Sequence, residues 1–295
     1  MPDLITHLSF NYIVYKLLKK YFYITVFLFG AIYPDLFVAS QLILIDFLKF
    51  SPVEKIIAFF VSSHSIFFVF ISAIGFALFF RDFLKAFFSF FIGAFLHLFL
   101  DFFQYNFGNG NILLFPFSYK TFYYPLFIYG VSFKYYYVLI PFLILIIFTM
   151  KEKETLYLII DLKRIIISVS IFFVLFLIIF YNINNIIKSD IFYLNLRYNP
   201  QKYNNKIVEL CKVKIINDSP VEVYFRGRVI KLINVGMKLQ KGDRIYLKGI
   251  YSLNKEEIKV ITLYKTLPLK MYISFIGIIF FIYFSYKRVN FIIKS

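Results

Sequence analysis

The chain has 295 residues, of which 61% are hydrophobic, and it carries 33 Lys and Arg against 16 Asp and Glu, a formal net charge of +17. Its mean hydropathy of +0.76 is more than one water-soluble core can hide, since a soluble domain is about half apolar; a single soluble core is excluded and lipid is the expected solvent. The basic excess does not read as a nucleic-acid surface, because Lys and Arg gather in short loops between apolar runs, where they set membrane orientation.

In chain order, the opening MPDLITHLSFNY has no basic start and no small-residue cleavage site, so a cleaved signal peptide is not expected. A first apolar run covers Leu4 to Leu18 and is interrupted by Lys19 and Lys20. A second runs from Tyr21 to Tyr33 and is expected to stop at Pro34-Asp35. Both are shorter than a full span and predict a hairpin that partly crosses the bilayer. Residues 41–50 read as interfacial. A long span is predicted from Ile56 to Phe80 and a helix from Phe87 to Phe103, with Arg81, Asp82 and Lys85 between them. An aromatic loop fills 104–133, a further span covers Tyr135 to Met150, and the charged loop KEKETLYLIIDLKR leads into a span from Ile165 to Tyr181.

Composition then shifts. KIVELCKVKII, VEVYF, RVIKLIN, DRIYLKGIY and EIKVITLYK alternate like five short strands. Asp218-Ser-Pro, Gly236, Gly242-Asp243 and Leu253-Asn254 supply turns, and the set fits a small barrel of the OB type. Cys211, the single cysteine, is expected as a small buried hydrophobe. A last span covers Leu267 to Tyr286 before a basic tail. The expected fold is an α-helical multi-spanning membrane protein with a small all-β extramembrane domain: residues 1–182 form the helical membrane domain, 183–266 the β domain, and 267–295 the last span and tail.

Loops on one side hold Lys16, Lys19, Lys20, Arg81, Lys85, Lys151, Lys153, Lys163, Arg164, Lys287, Arg288 and Lys294, against Lys49, Lys55, Lys120 and Lys134 on the other. Twelve against four places the first set in the cytoplasm and the β domain outside.

The three histidines, His7, His64 and His97, all fall toward the outer ends of their segments, as do Asp35 and Asp101. His97 and Asp101 stand at i and i+4, on one helix face. Asp101 near a helix C-terminus faces the negative end of the dipole and has no evident local reason to sit there; a metal or another cation would supply one. Taken singly, each has a plain alternative. Asp35 can cap a helix beginning at DLFVASQ, and Ser62, Ser63 and Ser65 can bond the preceding turn or orient His64. Taken together, three His and two carboxylates suit zinc or another divalent ion with a position open for water.

The pieces MPDLITHLSFNY, GAIYPDL, SSHS and GAFLHLFLDFFQYNFGNGNILLFPFS, within residues 1–118, resemble the YdjM-like family of membrane-bound metal-dependent hydrolases. That family is similar to zinc-dependent phospholipase C and the single-strand-specific zinc nucleases. The resemblance implies a helical metal site formed by His7, Asp35, His64, His97 and Asp101, and phosphoester hydrolysis at the superfamily level. One departure stands out: where the family often has His-Arg-Gly ahead of the central His, this chain has Phe59, Phe60 and Val61. Residues 150–295 have no counterpart in the family core.

The expectation is therefore a membrane-embedded zinc hydrolase, with Asp35 or Asp101 as general base where it is not a ligand. Its expected partner is a membrane lipid or lipid-linked substrate, with no nucleic acid; the β domain would take a protein or glycan. The alternative is a non-enzymatic scaffold with a structural metal.

Overall fold

A computed structural model of the chain describes residues 4–42, 53–103, 111–122, 153–189, 199–225, 228–265 and 289–294, with isolated positions between them. The expected span at 135–150, most of the last span at 267–286 and most of the interfacial segment at 41–50 lie outside the described residues.

Helix α1 (Leu4–Leu18) ends in a 3-10 turn at Lys19–Tyr21, where two lysines break the apolar run. Helix α2 (Ile24–Leu42) does not stop at Pro34-Asp35 as expected. Proline removes one backbone donor, a loss that a packed apolar bundle tolerates, and the helix continues for two more turns. Asp35 therefore lies inside a helix and caps nothing.

The run expected as one long span is broken. Helix α3 (Val53–Val61) gives way to a 3-10 turn at Ser62–His64, and helix α4 (Ile66–Ala77) leaves at 75°. The serines explain the break. Ser62 Oγ donates to Phe59 O at 2.5 Å and Ser63 Oγ to Phe60 O at 2.6 Å, closing the preceding turn. Ser65 accepts from the N–H of Phe68 at 3.2 Å and so caps α4.

Helix α5 (Phe83–Phe102) packs most extensively against α2. Two glycines permit the approach: a Cβ on Gly30 would lie 2.3 Å from Phe90 O, and one on Gly93 only 2.1 Å from Phe27 O. The backbones touch where any side chain would hold them apart.

The charged loop contains an unexpected strand, β1 (Glu154–Ile159), followed by α6 (Leu162–Lys188), which is longer than the expected span at both ends. Asp161 caps α6 by accepting from Arg164 N at 2.8 Å. The barrel strands are β2 (Ile207–Asp218), β3 (Val221–Phe225), β4 (Arg228–Ile233), β5 (Arg244–Ser252) and β6 (Glu257–Lys265). The basic tail forms β7 (Val289–Lys294), which pairs in parallel with β1.

This small sheet gathers the basic loops at one end of the bundle. Glu154 accepts from the N-terminal amides of α2, Ile24 N at 2.8 Å and Thr25 N at 3.1 Å. Phe80 bridges Leu158, and Arg164 donates to Leu78 O at 2.6 Å. By length and apolarity α5 and α6 can each cross a membrane, and the bent α3–α4 pair adds a third crossing if it acts as one span.

The barrel is closed, with strand order β2-β3-β4-β6-β5, as fits the OB-type arrangement expected. Its strands match the five alternating segments of the sequence to within about two residues. Val208, Leu210, Val213, Ile215, Val223, Ile230, Leu232, Ile245, Leu247 and Ile258 fill the interior, each worth about 1.5–3 kcal/mol when fully buried. Cys211 is half-buried on β2, less enclosed than expected.

Candidate metal centre

The site lies at the end of the bundle away from the basic loops. His97 and Asp101 come late in α5, roughly 20 Å and more from its start at 1.5 Å per residue. His7 lies in the first turns of α1, Asp35 late in α2, and His64 at the α3–α4 break. The five residues are thereby brought together from four segments of the chain.

The nitrogens and carboxylate oxygens face one another without touching. His7 Nε2 is 3.6 Å from Asp101 Oδ1. Asp101 Oδ2 is 3.5 Å from both His64 Nε2 and His97 Nε2. Asp35 Oδ1 is 3.6 Å from His64 Nε2 and 3.8 Å from His97 Nε2. The rings of His7 and His97 stack with centroids 3.7 Å apart and planes 14° apart. These separations are too long for hydrogen bonds. They are close to the roughly 3.3–3.4 Å between ligands of a tetrahedral zinc with bonds of about 2.0–2.1 Å.

Burial sharpens the point. His7, His97 and Asp101 are fully buried and His64 nearly so. Both ring nitrogens of His7, the Nε2 atoms of His64 and His97, Asp35 Oδ1 and both oxygens of Asp101 have no hydrogen-bond partner. Each such atom costs about 1–3 kcal/mol when left unsatisfied. Six of them, all but His7 Nδ1, face one another across the cluster and fit a bound cation. Two overlapping triads have ligand atoms within 4.8 Å of one another: His7 with His97 and Asp101, and Asp35 with His64 and His97.

The supporting bonds prepare two of the imidazoles. His97 Nδ1 lies 2.6 Å from the Ala31 carbonyl, so Nδ1 carries the proton and Nε2 presents its lone pair to the cluster. Ser63 Oγ lies 3.1 Å from His64 Nδ1 and donates its own proton to Phe60 O. It therefore accepts from His64 Nδ1–H, and His64 Nε2 too presents its lone pair to the cluster. SSHS itself points to the role of Ser63; nothing beside His97 in the sequence points to that of the Ala31 carbonyl. Its only trace in sequence is the pair of Gly-Ala dipeptides at 30–31 and 93–94, which mark where α2 and α5 can meet.

No protein-family model, no curated protein and no solved structure matches the chain.

Proposed function

We propose that the chain is a multi-spanning membrane protein whose five-residue cluster holds a divalent ion, zinc first, and that it hydrolyses a phosphoester at the lipid–water boundary. One observation supports this reading above the rest: six buried, unsatisfied nitrogen and oxygen atoms that face one another at 3.5–3.8 Å. The resemblance of residues 1–118 to the YdjM-like hydrolases supports it. His7, His64, His97 and Asp101 are the ligands, with Asp35 as a ligand or beside the ion. A bound zinc of this kind supplies Lewis-acid stabilisation of a phosphoryl oxygen and a water of lowered pKa.

The protein's own residues do the rest. Asp35 is the most exposed of the five, its side chain 11% accessible. It is the carboxylate placed to take the proton of an attacking water as the phosphorus–oxygen bond to the leaving group breaks. Ala31 and Ser63 hold two imidazoles in the ligating tautomer. The site lies at the end of the bundle away from the basic loops, so by the charge rule it opens to the non-cytoplasmic side. A lipid-linked phosphoester suits that position, with its tails in the bilayer and its head group at the site.

Burial favours a second reading. Three of the five residues are wholly inaccessible, as suits a structural ion that ties four segments together, in a scaffold whose barrel recruits a partner. Purified protein should contain at least one zinc or similar ion and release phosphate or head groups from phosphoester lipids in a chelator-sensitive way. Bound metal with no turnover on any phosphoester would move the choice to the scaffold. Protein without bound metal would overturn both readings.

A further inference from the structure

On the outer face of the barrel the strand ladders set opposite charges against each other at several places. Glu209 lies across from Lys248, with an ion pair of 2.8 Å. Lys231 lies between Glu222 and Glu257. Among the described strand pairs, one position sets like charges side by side. Lys214 on β2 is directly opposite Arg244 on β5, and both are exposed. The band continues across β3 and β4: Lys214 is opposite Tyr224, and Tyr224 is opposite Val229. Tyr224 is 53% and Val229 45% exposed. Two cations beside an exposed tyrosine and an exposed aliphatic side chain make a surface suited to a lipid interface, where the cations meet phosphates and the aromatic ring lies at head-group depth.

We propose that this band, Arg244–Lys214–Tyr224–Val229, docks the barrel onto anionic head groups of the membrane that anchors the chain. The inference rests on the reading that the chain spans a membrane. Covalent geometry supplies the approach. Lys265 ends β6, and Leu267, two residues later, opens the final apolar run. At no more than about 3.6 Å per residue, Lys265 is held within about 7 Å of that run. Lys265 pairs with Ile245, whose neighbour is Arg244. Measured through the strands, Arg244 is thus within roughly 13 Å of the start of the apolar run, and Lys214 one strand spacing further. A membrane's surface potential falls off over about 8 Å at physiological salt, so the pair comes within its range when the band faces the bilayer. Between residues 199 and 265 there are 14 Lys and Arg against 6 Asp and Glu, so the barrel as a whole is drawn the same way. A nucleic acid would also meet cations and an aromatic ring here, but the short tether keeps the band close to lipid.

The test uses the full chain in lipid nanodiscs, with Cys211→Ser and a spin label at Val229→Cys. Discs of phosphatidylcholine alone are compared with discs containing phosphatidylglycerol, each carrying a nickel-chelating lipid. Relaxation of the label by head-group nickel should be strong in the anionic discs, weak in the neutral ones, and reversed by salt. Replacing Lys214 and Arg244 by Gln should lower the docked-to-free ratio about 25-fold, roughly fivefold per charge. Hydrogen exchange over residues 213–225 in the unsubstituted chain should slow in anionic discs, which keeps the test independent of the variants. Equal relaxation and equal exchange in both lipids would overturn the proposal. So would a response seen only when single-stranded oligonucleotide is added. Failure of the chain to enter discs at all would overturn the membrane reading itself.

Discussion

The Nδ1 atom of His97 on α5 lies 2.6 Å from the carbonyl oxygen of Ala31 on α2. That bond spans the two helices that pack most closely and fixes which ring nitrogen meets the cluster. His64 is held in the same sense by Ser63. Removing a ligand should therefore cost more than removing its support. His97→Ala and Asp101→Asn should each abolish most of the bound metal. Ser63→Ala should weaken metal binding roughly 10–100-fold with the helical circular dichroism unchanged. Metal affinity is the readout, by competition with a chelator. Equal affinity in all three variants would mean that the histidines are structural.

The crossing of α2 and α5 makes a separate prediction. A methyl group on Gly93 would lie 2.1 Å from the Phe27 carbonyl, a rigid backbone atom rather than a movable side chain. The helices must part, at a cost of about 1–3 kcal/mol or more for the overpacking. The Ala31–His97 bond, one turn further along, must lengthen with them. Gly93→Ala should lower the thermal midpoint and the metal affinity together. Gly236→Ala, with nothing within 4 Å of the added methyl, should change neither.

How much of this could be read beforehand differs from element to element. The barrel strands were legible because one face of each is buried and one exposed, so residues such as Val223, Tyr224 and Phe225 alternate with period two. The five clustered residues stand out in the sequence because ionisable groups are rare within such apolar segments. The break at His64 was not, since residues 56–80 are apolar almost throughout and offer no contrast in periodicity. Only the serines signalled it, through hydroxyls that close turns. Strands β1 and β7 pair across some 130 residues, and nothing local in ETLYLI or VNFIIK names the partner. Pro34 misled in the other direction: it removes one donor, but the packing of α2 on α5 carries the helix past it.

Glu154 gives a pH dependence. Burial pushes its carboxyl above the ordinary glutamate value, although the amides of Thr25 and Ile24 that it caps pull the other way. A group whose folded pKa is raised holds its proton more tightly in the folded state. Its contribution is complete below the unfolded pKa of about 4.3 and is lost as pH rises through the folded value. Between those two points the bundle should lose stability. Glu154→Gln, which cannot titrate and still offers one oxygen to Ile24, should remove that fall. The measurement is the thermal midpoint in detergent across the window; an unchanged slope in the variant would assign the pH dependence elsewhere.

The proposed orientation can be tested on α6, whose 27 residues separate Lys153 from the barrel by roughly 40 Å at 1.5 Å per residue. In a Cys211→Ser background, a cysteine at the exposed Asn254 should react with an impermeant reagent added to intact cells. A cysteine at Lys153 should react only after the membrane is opened. The reverse pattern would invert the orientation, and reaction of both in intact cells would remove α6 as a span.

The last prediction separates chemistry from structure at the site. Asp101 faces all three histidines within 3.6 Å and is fully buried, which suits a ligand more than a proton acceptor. Asp35 faces two of them and keeps partial access to solvent. Asp35→Asn preserves size and leaves an oxygen to face the ion, but it cannot take a proton from water. If Asp35 is the general base, this variant should keep most of its metal and lose roughly 10²–10⁴-fold in phosphoester turnover, the usual worth of a positioned proton acceptor. Asp101→Asn should lose metal and turnover together. A variant at Asp35 that loses its metal in proportion to its activity would make Asp35 a ligand only, and proton removal would then fall to another group at the boundary.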